Sequence, residues 1–378
     1  MAKNPLHELR EAGQSIWLDS IDRTMLHNGE LERRVRDDAL TGMTSNPTIF
    51  QKALASGSAY DEQLLAAEEG LGSLELFELV ETEDVRNACD AFAGVFSATR
   101  GADGYVSIEV SPGVSTNADD TVEEARRLWK TVDRPNVMVK VPGTDAGAVA
   151  VRRLIAEGIN VNITLLFAIS AHERVIEAYM AGLEDRVKSN QPIDGIASVA
   201  SFFVSRVDTE IDKRLDALIA KAQPAEQERL KMLKGRAAIA NAKLAYRLFT
   251  TKFSGPRWEA LAAKGARLQR PLWASTSTKN PAYRDVMYVE ELIGPNTVDT
   301  MPPATIDAFR QHGVVARTVD KKVSAAEGLI KEIEAAGISM KEVTDKLLVE
   351  GIASFQKSFD ELIAGLETKI GSLAPGGK

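Results

Sequence analysis

The stretch NVMVKVPG, residues 136–143, decides how the chain is read. Val137, Val139 and Val141 share one parity, and Met138 and Lys140 share the other. A strand points alternate side chains to opposite faces, so Lys140 projects from the face opposite the three valines. The following TDAGAVAVRRLIAEG is rich in alanine and other good helix formers. A lysine near the C-terminal end of an apolar strand that feeds a helix has two readings. It deters pairing at a sheet edge, or it belongs to a functional site. The segments on either side choose between them.

Eight strand-like runs are visible: SIWLDS (15–20), ALTGMTS (39–45), GYVSIEV (104–110), NVMVKV (136–141), NVNITLLF (160–167), IASVASFFV (196–204), LQRPLWAST (268–276) and NTVDTMP (296–302). Most are followed by helical sequence such as TVEEARRLWKTV (121–132), where Thr121 and Glu124 have the spacing of a capping box. Strand alternating with helix implies parallel strands with helical crossovers. Eight units predict a (β/α)8 TIM barrel with helical insertions. The extra length falls at 53–100, at 205–265 and in a helical C-terminal extension, about 320–372, that either covers the barrel mouth or forms an interface. The tail APGGK reads as disordered. No repeat or linker divides the chain, so a single domain over 1–378 is expected, with the barrel over about 15–315.

Parity separates this fold from its rivals. Val106, Ile108 and Val110 oppose Ser107 and Glu109; Val161, Ile163 and Leu165 oppose Asn160, Asn162 and Thr164. Gly42, Thr44 and Asn46 share a face, as do Trp273 and Ser275. Helices would cover the apolar faces, and the polar faces would meet in the lumen near the C-terminal strand ends. An antiparallel sheet with one wet face would not need the intervening helices. A doubly wound sheet would be apolar on both faces of its strands.

Composition narrows the function. The chain has 378 residues, is 44% hydrophobic and 26% charged, and carries a formal net charge of −8. With a pI near 5.3 and no basic run, a nucleic-acid surface is not expected. No apolar run is long enough to span a membrane, and MAKNPLHELREAG lacks a signal-peptide core. The single cysteine, Cys89, reads as a small buried hydrophobe. The expectation is a cytoplasmic protein. His7, His27, His172 and His312 are scattered and read as surface or capping residues, so no metal set is expected. No Walker A sequence or GxGxxG supports nucleotide binding.

The strand ends collect Asp19, Thr44, Asn46, Glu109, Lys140, Asn162, Thr164, Ser201, Arg206, Ser275 and Lys279. A lysine amine attacks a ketone to give an iminium, an electron sink for breaking an adjacent C–C bond. Only the neutral amine attacks, and burial disfavours a lysine's charged form. Two carboxylates could shuttle protons, amides suit sugar hydroxyls, and Arg206 and Lys279 supply cations for a phosphate. TSTKNP places small residues and a helix start after the seventh strand, a frequent barrel phosphate site. Singly, several of these have plainer readings. Asp19 could cap the next segment, Asn46 before Pro47 could be a turn residue, and Arg206 could pair with Asp208 or Glu210.

The same residues carry a family resemblance. GMTSNPTIF (42–50) resembles the N-terminal signature of the transaldolases, and VMVKVPGTDAGAVAVRRL (137–154) resembles their lysine signature. EGINVNITLLF (157–167) and SFFVSR (201–206) follow in the family's order. The match covers roughly residues 15 to 300, and the length is similar to that of the longer bacterial subgroup. The resemblance implies a Schiff base on Lys140, with Asp19 exchanging protons with the C4 hydroxyl and Glu109 acting through a water held partly by Thr164. It implies that Asn46 and Asn162 grip the dihydroxyacetone hydroxyls, with Thr44 and Ser201 nearby, and that Arg206 binds the sugar phosphate. The implied reaction moves a dihydroxyacetone unit from sedoheptulose 7-phosphate to glyceraldehyde 3-phosphate, giving erythrose 4-phosphate and fructose 6-phosphate, in the pentose phosphate pathway. Sugar phosphates are the implied partners, no cofactor or metal is implied, and a monomer or homodimer is expected. Shorter members place an arginine two residues after the seventh-strand serine, Ser275. Here that position is Ser277, so the second phosphate contact is either Ser277 or Lys279. Phe202 stands where shorter members often have proline, which bears on the role of Phe203. Two alternatives stay open: a fructose 6-phosphate aldolase-like lyase that releases free dihydroxyacetone, and a sugar-phosphate-binding protein on an inactive barrel.

Overall fold

The computed structural model describes residues 4–55, 57–68 and 70–373. Eight parallel strands close into a barrel in sequence order. They are β1 (Gln14–Asp19), β2 (Gly42–Thr44), β3 (Tyr105–Glu109), β4 (Val137–Pro142), β5 (Val161–Leu166), β6 (Ser198–Phe203), β7 (Gln269–Ala274) and β8 (Thr297–Met301). Every run expected to be a strand overlaps one, to within a residue or so at most ends. The shortest is β2, which begins only after Ala39 takes a left-handed backbone at φ 54°.

The period-two pattern sorts residues as expected through most of the wall. Val137, Val139 and Val141 are fully buried on the outer face of β4. Helices Ala118–Val132 and Asp145–Glu157 pack there. In the lumen, parallel register sets Asp19 beside Thr44, Glu109 beside Lys140, and Lys140 beside Asn162. A layer lower, Trp17 lies beside Gly42. A Cβ on Gly42 would fall 2.6 Å from the Trp17 ring, so only glycine admits this indole into the lumen.

Alternation fails where the backbone turns left-handed. Leu165 (φ 59°) and Ser275 (φ 58°) both do so at the C-terminal ends of their strands. The β5–β6 register shifts between Ile163 and Leu166. Trp273 and Ser275 therefore do not share the lumen. The Trp273 ring lies 6.4 Å from Phe202, and its indole N–H donates to the Leu292 carbonyl at 3.0 Å. Phe202 in turn meets His172 of helix Ile169–Lys188, which marks this as the helix side of the wall.

The expected insertions are helical. Pro47–Ala55, Asp61–Ala66 and Ser73–Ala98 lie between β2 and β3, and four helices from Ser205 to Ala262 lie between β6 and β7. The C-terminal extension ends in a 34-residue helix, Met340–Leu373, which at 1.5 Å per residue spans about 50 Å. Lys346 pairs with Glu210 near its start at 2.6 Å, and Lys369 pairs with Asp61 near its end at 2.7 Å. The helix thus straps the barrel mouth from the β6 side to the β2 side. The tail APGGK lies outside the described residues. No helix among the described residues is long and apolar enough to cross a membrane.

Three local expectations need correction. Helix Ala118–Val132 starts before the proposed capping box: Asn117 is its cap and accepts from the Asp119 and Asp120 amides. Thr121 sits in its first turn and donates back to the Asn117 carbonyl, while Glu124 accepts from the Ser111 amide and hydroxyl. No helix starts at TSTKNP; the next one is Met287–Glu291. His172 is neither on the surface nor a cap. It is fully buried, and burial pushes its ring down to about 4, so it stays neutral.

Candidate active site

At the C-terminal end of the barrel a cavity of about 340 Å³ opens, lined by Lys140, Asp19 and nine other residues singled out from the sequence: Thr44, Asn46, Thr164, Ser201, Phe203, Arg206, Ser275, Ser277 and Lys279. Glu109 and Asn162 lie beneath its lining and touch it through partners. A larger cleft, about 780 Å³, lies beside it between Gly143–Asp145, helix Ile169–Lys188 and the C-terminal helix. That cleft contains no lysine facing a buried carboxylate. Its charged residues pair with each other, Arg174 with Asp145 and Lys341 with Asp345. The chemistry therefore favours the smaller cavity.

Lys140 is 5% exposed, and its Nζ donates to Glu109 Oε2 at 3.0 Å and to the Ser45 carbonyl at 3.1 Å. The contact follows from sequence and register: β3 and β4 pair Glu109 with Lys140, on the same face. Burial pushes the Glu109 carboxyl above its ordinary range, and the Lys140 charge opposes that rise. Breaking such a buried pair from one side costs about 3–5 kcal/mol, because the partner is left uncompensated. The second Glu109 oxygen and the Thr164 hydroxyl are buried with no hydrogen-bond partner among the described residues. Buried polar atoms of this kind are rare in proteins and call for an explanation.

Asp19 accepts from the Thr44 hydroxyl at 2.8 Å, and Thr44 shares a 2.7 Å hydrogen bond with Thr300. Burial raises the Asp19 carboxyl, opposed first by Lys140, then by the Thr44 hydrogen bond, Arg206 and Lys279. Asn162 is held in one orientation, donating to the Ser107 hydroxyl at 2.9 Å and accepting from Ser201 at 2.6 Å. A fixed amide is a preorganised contact rather than a loose polar face. Arg206, in the first turn of helix Ser205–Ile219, lies with its guanidinium 5.3 Å from the Phe203 ring centre. Burial works against the Arg206 charge and Asp19 supports it. Lys279 donates to the Ser277 hydroxyl at 3.0 Å, so the two candidates for a second phosphate contact form one unit. Ser275 bonds Ser205 at 2.9 Å. Its left-handed backbone brings it into the lining against the strand's own alternation.

The sequence reading did not select four groups that belong here. Thr300 could have been found by applying parity to β8, which puts it with Val298 and away from Asp299. The Ser45 carbonyl is a backbone group and has no residue signal. Lys52, in helix Pro47–Ala55, lines the cavity as a further cation. Phe355 of the C-terminal helix lines it too, with its ring centre 5.8 Å from Lys140 Nζ. No group of three or more His, Cys, Asp or Glu side chains placed to hold a metal occurs among the described residues.

Comparison with known proteins bears on the same geometry. The family model described as Transaldolase/Fructose-6-phosphate aldolase matches residues 16–366. A Nostoc protein named Transaldolase 2 is 47% identical, over 99% of this chain and all of its own length. Proteins named Transaldolase from Trichodesmium erythraeum and Mycobacterium leprae are 45% and 44% identical, over 99% and 98% of this chain and 100% and 98% of their own. A barrel with this lysine–glutamate pair, matched over nearly its whole length by these relatives, is an enzyme that belongs to the transaldolase/fructose-6-phosphate aldolase family.

Proposed function

We propose that the chain transfers a dihydroxyacetone unit between sugar phosphates through a Schiff base on Lys140. The donor would be sedoheptulose 7-phosphate and the acceptor glyceraldehyde 3-phosphate, giving erythrose 4-phosphate and fructose 6-phosphate. The observation that carries this reading is the burial of Lys140 against Glu109 at the base of a cavity with Arg206 and Lys279 in its lining.

The neutral amine attacks the ketose C2. Glu109 takes the Lys140 proton at 3.0 Å and, through its unpartnered oxygen and the Thr164 hydroxyl, handles the water lost on dehydration. The iminium then accepts the electrons of the C3–C4 bond as Asp19 removes the C4 hydroxyl proton. A carboxyl raised by burial binds a proton more readily than an exposed one, which suits Asp19 to take the C4 hydroxyl proton and return it. Asn162, locked by Ser107 and Ser201, and Asn46 hold the remaining hydroxyls, with Thr44 nearby. Arg206 offers a planar fork to the phosphate, and Lys279 with Ser277 offers a point charge and a hydroxyl.

The relatives described above are named transaldolase, which favours transfer over release of free dihydroxyacetone. The test is product formation from sedoheptulose 7-phosphate with and without glyceraldehyde 3-phosphate. Fructose 6-phosphate that appears only with the acceptor supports transfer. Free dihydroxyacetone at the same rate in both arms would assign a lyase, and no product in either arm would leave a binding protein.

A further inference from the structure

The C-terminal helix reaches the cavity at one residue. Phe355 is 5% exposed, and its ring centre is 5.8 Å from Lys140 Nζ. It is fixed from both sides. One turn earlier, Gly351 packs so closely on Leu165 that a Cβ would sit 2.9 Å from that side chain. One turn later, Phe359 meets Phe77 edge-on at 5.9 Å, and Ser358 accepts from Thr48 at 2.8 Å. The close approach at Gly351 lowers the helix onto the mouth, and the contacts at Ser358 and Phe359 keep the ring from swinging away.

The other aromatic in the lining, Phe203, lies against Arg206 and so serves the cation. Phe355 lies against the amine. It has no proton to give or take, and the polar contacts of Lys140 are already made by Glu109 and Ser45. What an apolar ring can do there is keep proton-donating water from the carbons of an enamine held on Nζ.

We propose that Phe355 sets the partition of the bound dihydroxyacetone enamine between transfer and hydrolysis; this rests on the Schiff-base reading above. In transfer, the enamine C3 forms a bond to the aldehyde carbon of the acceptor, the aldehyde oxygen takes a proton, and water then adds to C2 of the resulting iminium so that the C2–Nζ bond breaks and the new ketose leaves. In hydrolysis, C3 takes a proton instead, which regenerates the iminium. Water then adds to C2, the C2–Nζ bond breaks, and free dihydroxyacetone leaves as Lys140 recovers its amine. Both branches start from one intermediate and both end with water at C2; only the second also needs a proton delivered to C3 before an acceptor arrives, and in an open site water delivers it. The strap helix is thus part of the specificity of the reaction.

The test compares wild type with Phe355→Ala and Phe355→Leu, using fructose 6-phosphate as donor. Dihydroxyacetone release without acceptor is divided by sedoheptulose 7-phosphate formation with erythrose 4-phosphate. The ratio should rise about tenfold in Phe355→Ala, which lets water reach the enamine, and less in Phe355→Leu, which keeps an apolar cover. Loss of both rates in parallel, at an unchanged ratio, would overturn the proposal and leave Phe355 a packing residue. Should Phe355→Ala unfold, the ratio in Phe355→Leu decides alone: a rise above wild type supports the proposal, and no rise overturns it. Borohydride trapping on wild type separates the two readings, since absence of an adduct on Lys140 would fault the Schiff base rather than the shield.

Discussion

The two ends of the barrel lumen are built from the same strands and differ in how far their polar groups are completed. At the floor, Trp17 donates to Asp103 at 2.9 Å, Ser15 donates to the other Asp103 oxygen, and Arg270 donates to Ser15 at 2.7 Å and faces Asp103 at 3.5 Å. The network closes on itself. At the mouth, Lys140, Glu109, Asp19 and Arg206 are also buried or half-buried, yet Glu109 and Thr164 each keep an oxygen without a partner among the described residues. A closed network rigidifies, and an incomplete one is costly to stability. The difference teaches that burial of charge alone does not mark a site. What marks it is burial of charge in a network that a bound substrate could complete.

The orphan atoms outside the lumen sharpen this. Asp299, on the helix side of β8, accepts from Thr276 at 2.8 Å and has a second oxygen with no partner among the described residues. Burial pushes it up to about 8, with only the Thr276 hydrogen bond opposing. It resolves its burial by holding a proton. Asp19 and Glu109 face Lys140, and Asp19 faces Arg206 and Lys279 as well. The carboxylates at the mouth are thus held beside cations, and Asp299 is not.

If the mouth serves chemistry and the floor serves folding, substitutions at the two ends should separate in their effect on turnover. Lys140→Ala should lower turnover by at least about 10⁴-fold, the scale of losing a covalent nucleophile, while circular dichroism and gel filtration stay unchanged. Retained turnover would erase the distinction. Asp103→Ala leaves Arg270, Trp17 and Ser15 short of an acceptor. It should cost about 3 kcal/mol in urea unfolding, with kcat of the folded enzyme within about threefold of wild type. A large kcat loss without destabilisation would show that the floor is not a purely structural end. Arg206→Ala should raise KM for phosphorylated sugars by about tenfold or more, the scale of about 1.5–3 kcal/mol for a hydrogen bond to a charged group, and should barely affect dihydroxyacetone. Equal effects on both would remove Arg206 from the phosphate.

At Asp299 the effect is expected in the pH dependence of stability and not in turnover, and its sign follows from linkage. Its folded-state carboxyl sits above the ordinary 3.8, at about 8. The native state therefore holds a proton that the unfolded chain releases. That stability is fully present below about pH 4 and is lost at about 1.4 kcal/mol per pH unit up to about pH 8. Asp299→Asn keeps an acceptor for Thr276 and should flatten this slope in denaturant titrations at stepped pH. An unchanged slope would mean that Asp299 is not the titrating group.

The barrel was legible because its signal is local. Eight runs with period-two alternation carry their own evidence, and parity alone placed Lys140 opposite Val137, Val139 and Val141, on the lumen face that Glu109 shares; the register then makes the two neighbours. Parity failed at Ser275, where one left-handed residue reverses the facing of a side chain, and a serine gives no warning of that as a glycine would. The cap at Asn117 was missed because PGVSTNADDT offers several cap-forming residues in a row. Phe355 was beyond reach for a different reason. In GIASFQKSFDEL nothing separates an aromatic that enters the lumen from Phe359, which packs between helices. Its role is set by how the helix crosses the mouth, and that is decided by Gly351 against Leu165 and by ion pairs far away in sequence.

The central claim is that Lys140, enclosed against Glu109, forms the bond to the ketose. Borohydride reduction in the presence of fructose 6-phosphate, followed by peptide mapping by mass spectrometry, tests it most directly. The expected result is loss of activity with one dihydroxyacetone-derived adduct on the peptide carrying Lys140, and none in Lys140→Ala. An adduct on another lysine, or full activity after reduction, would contradict it.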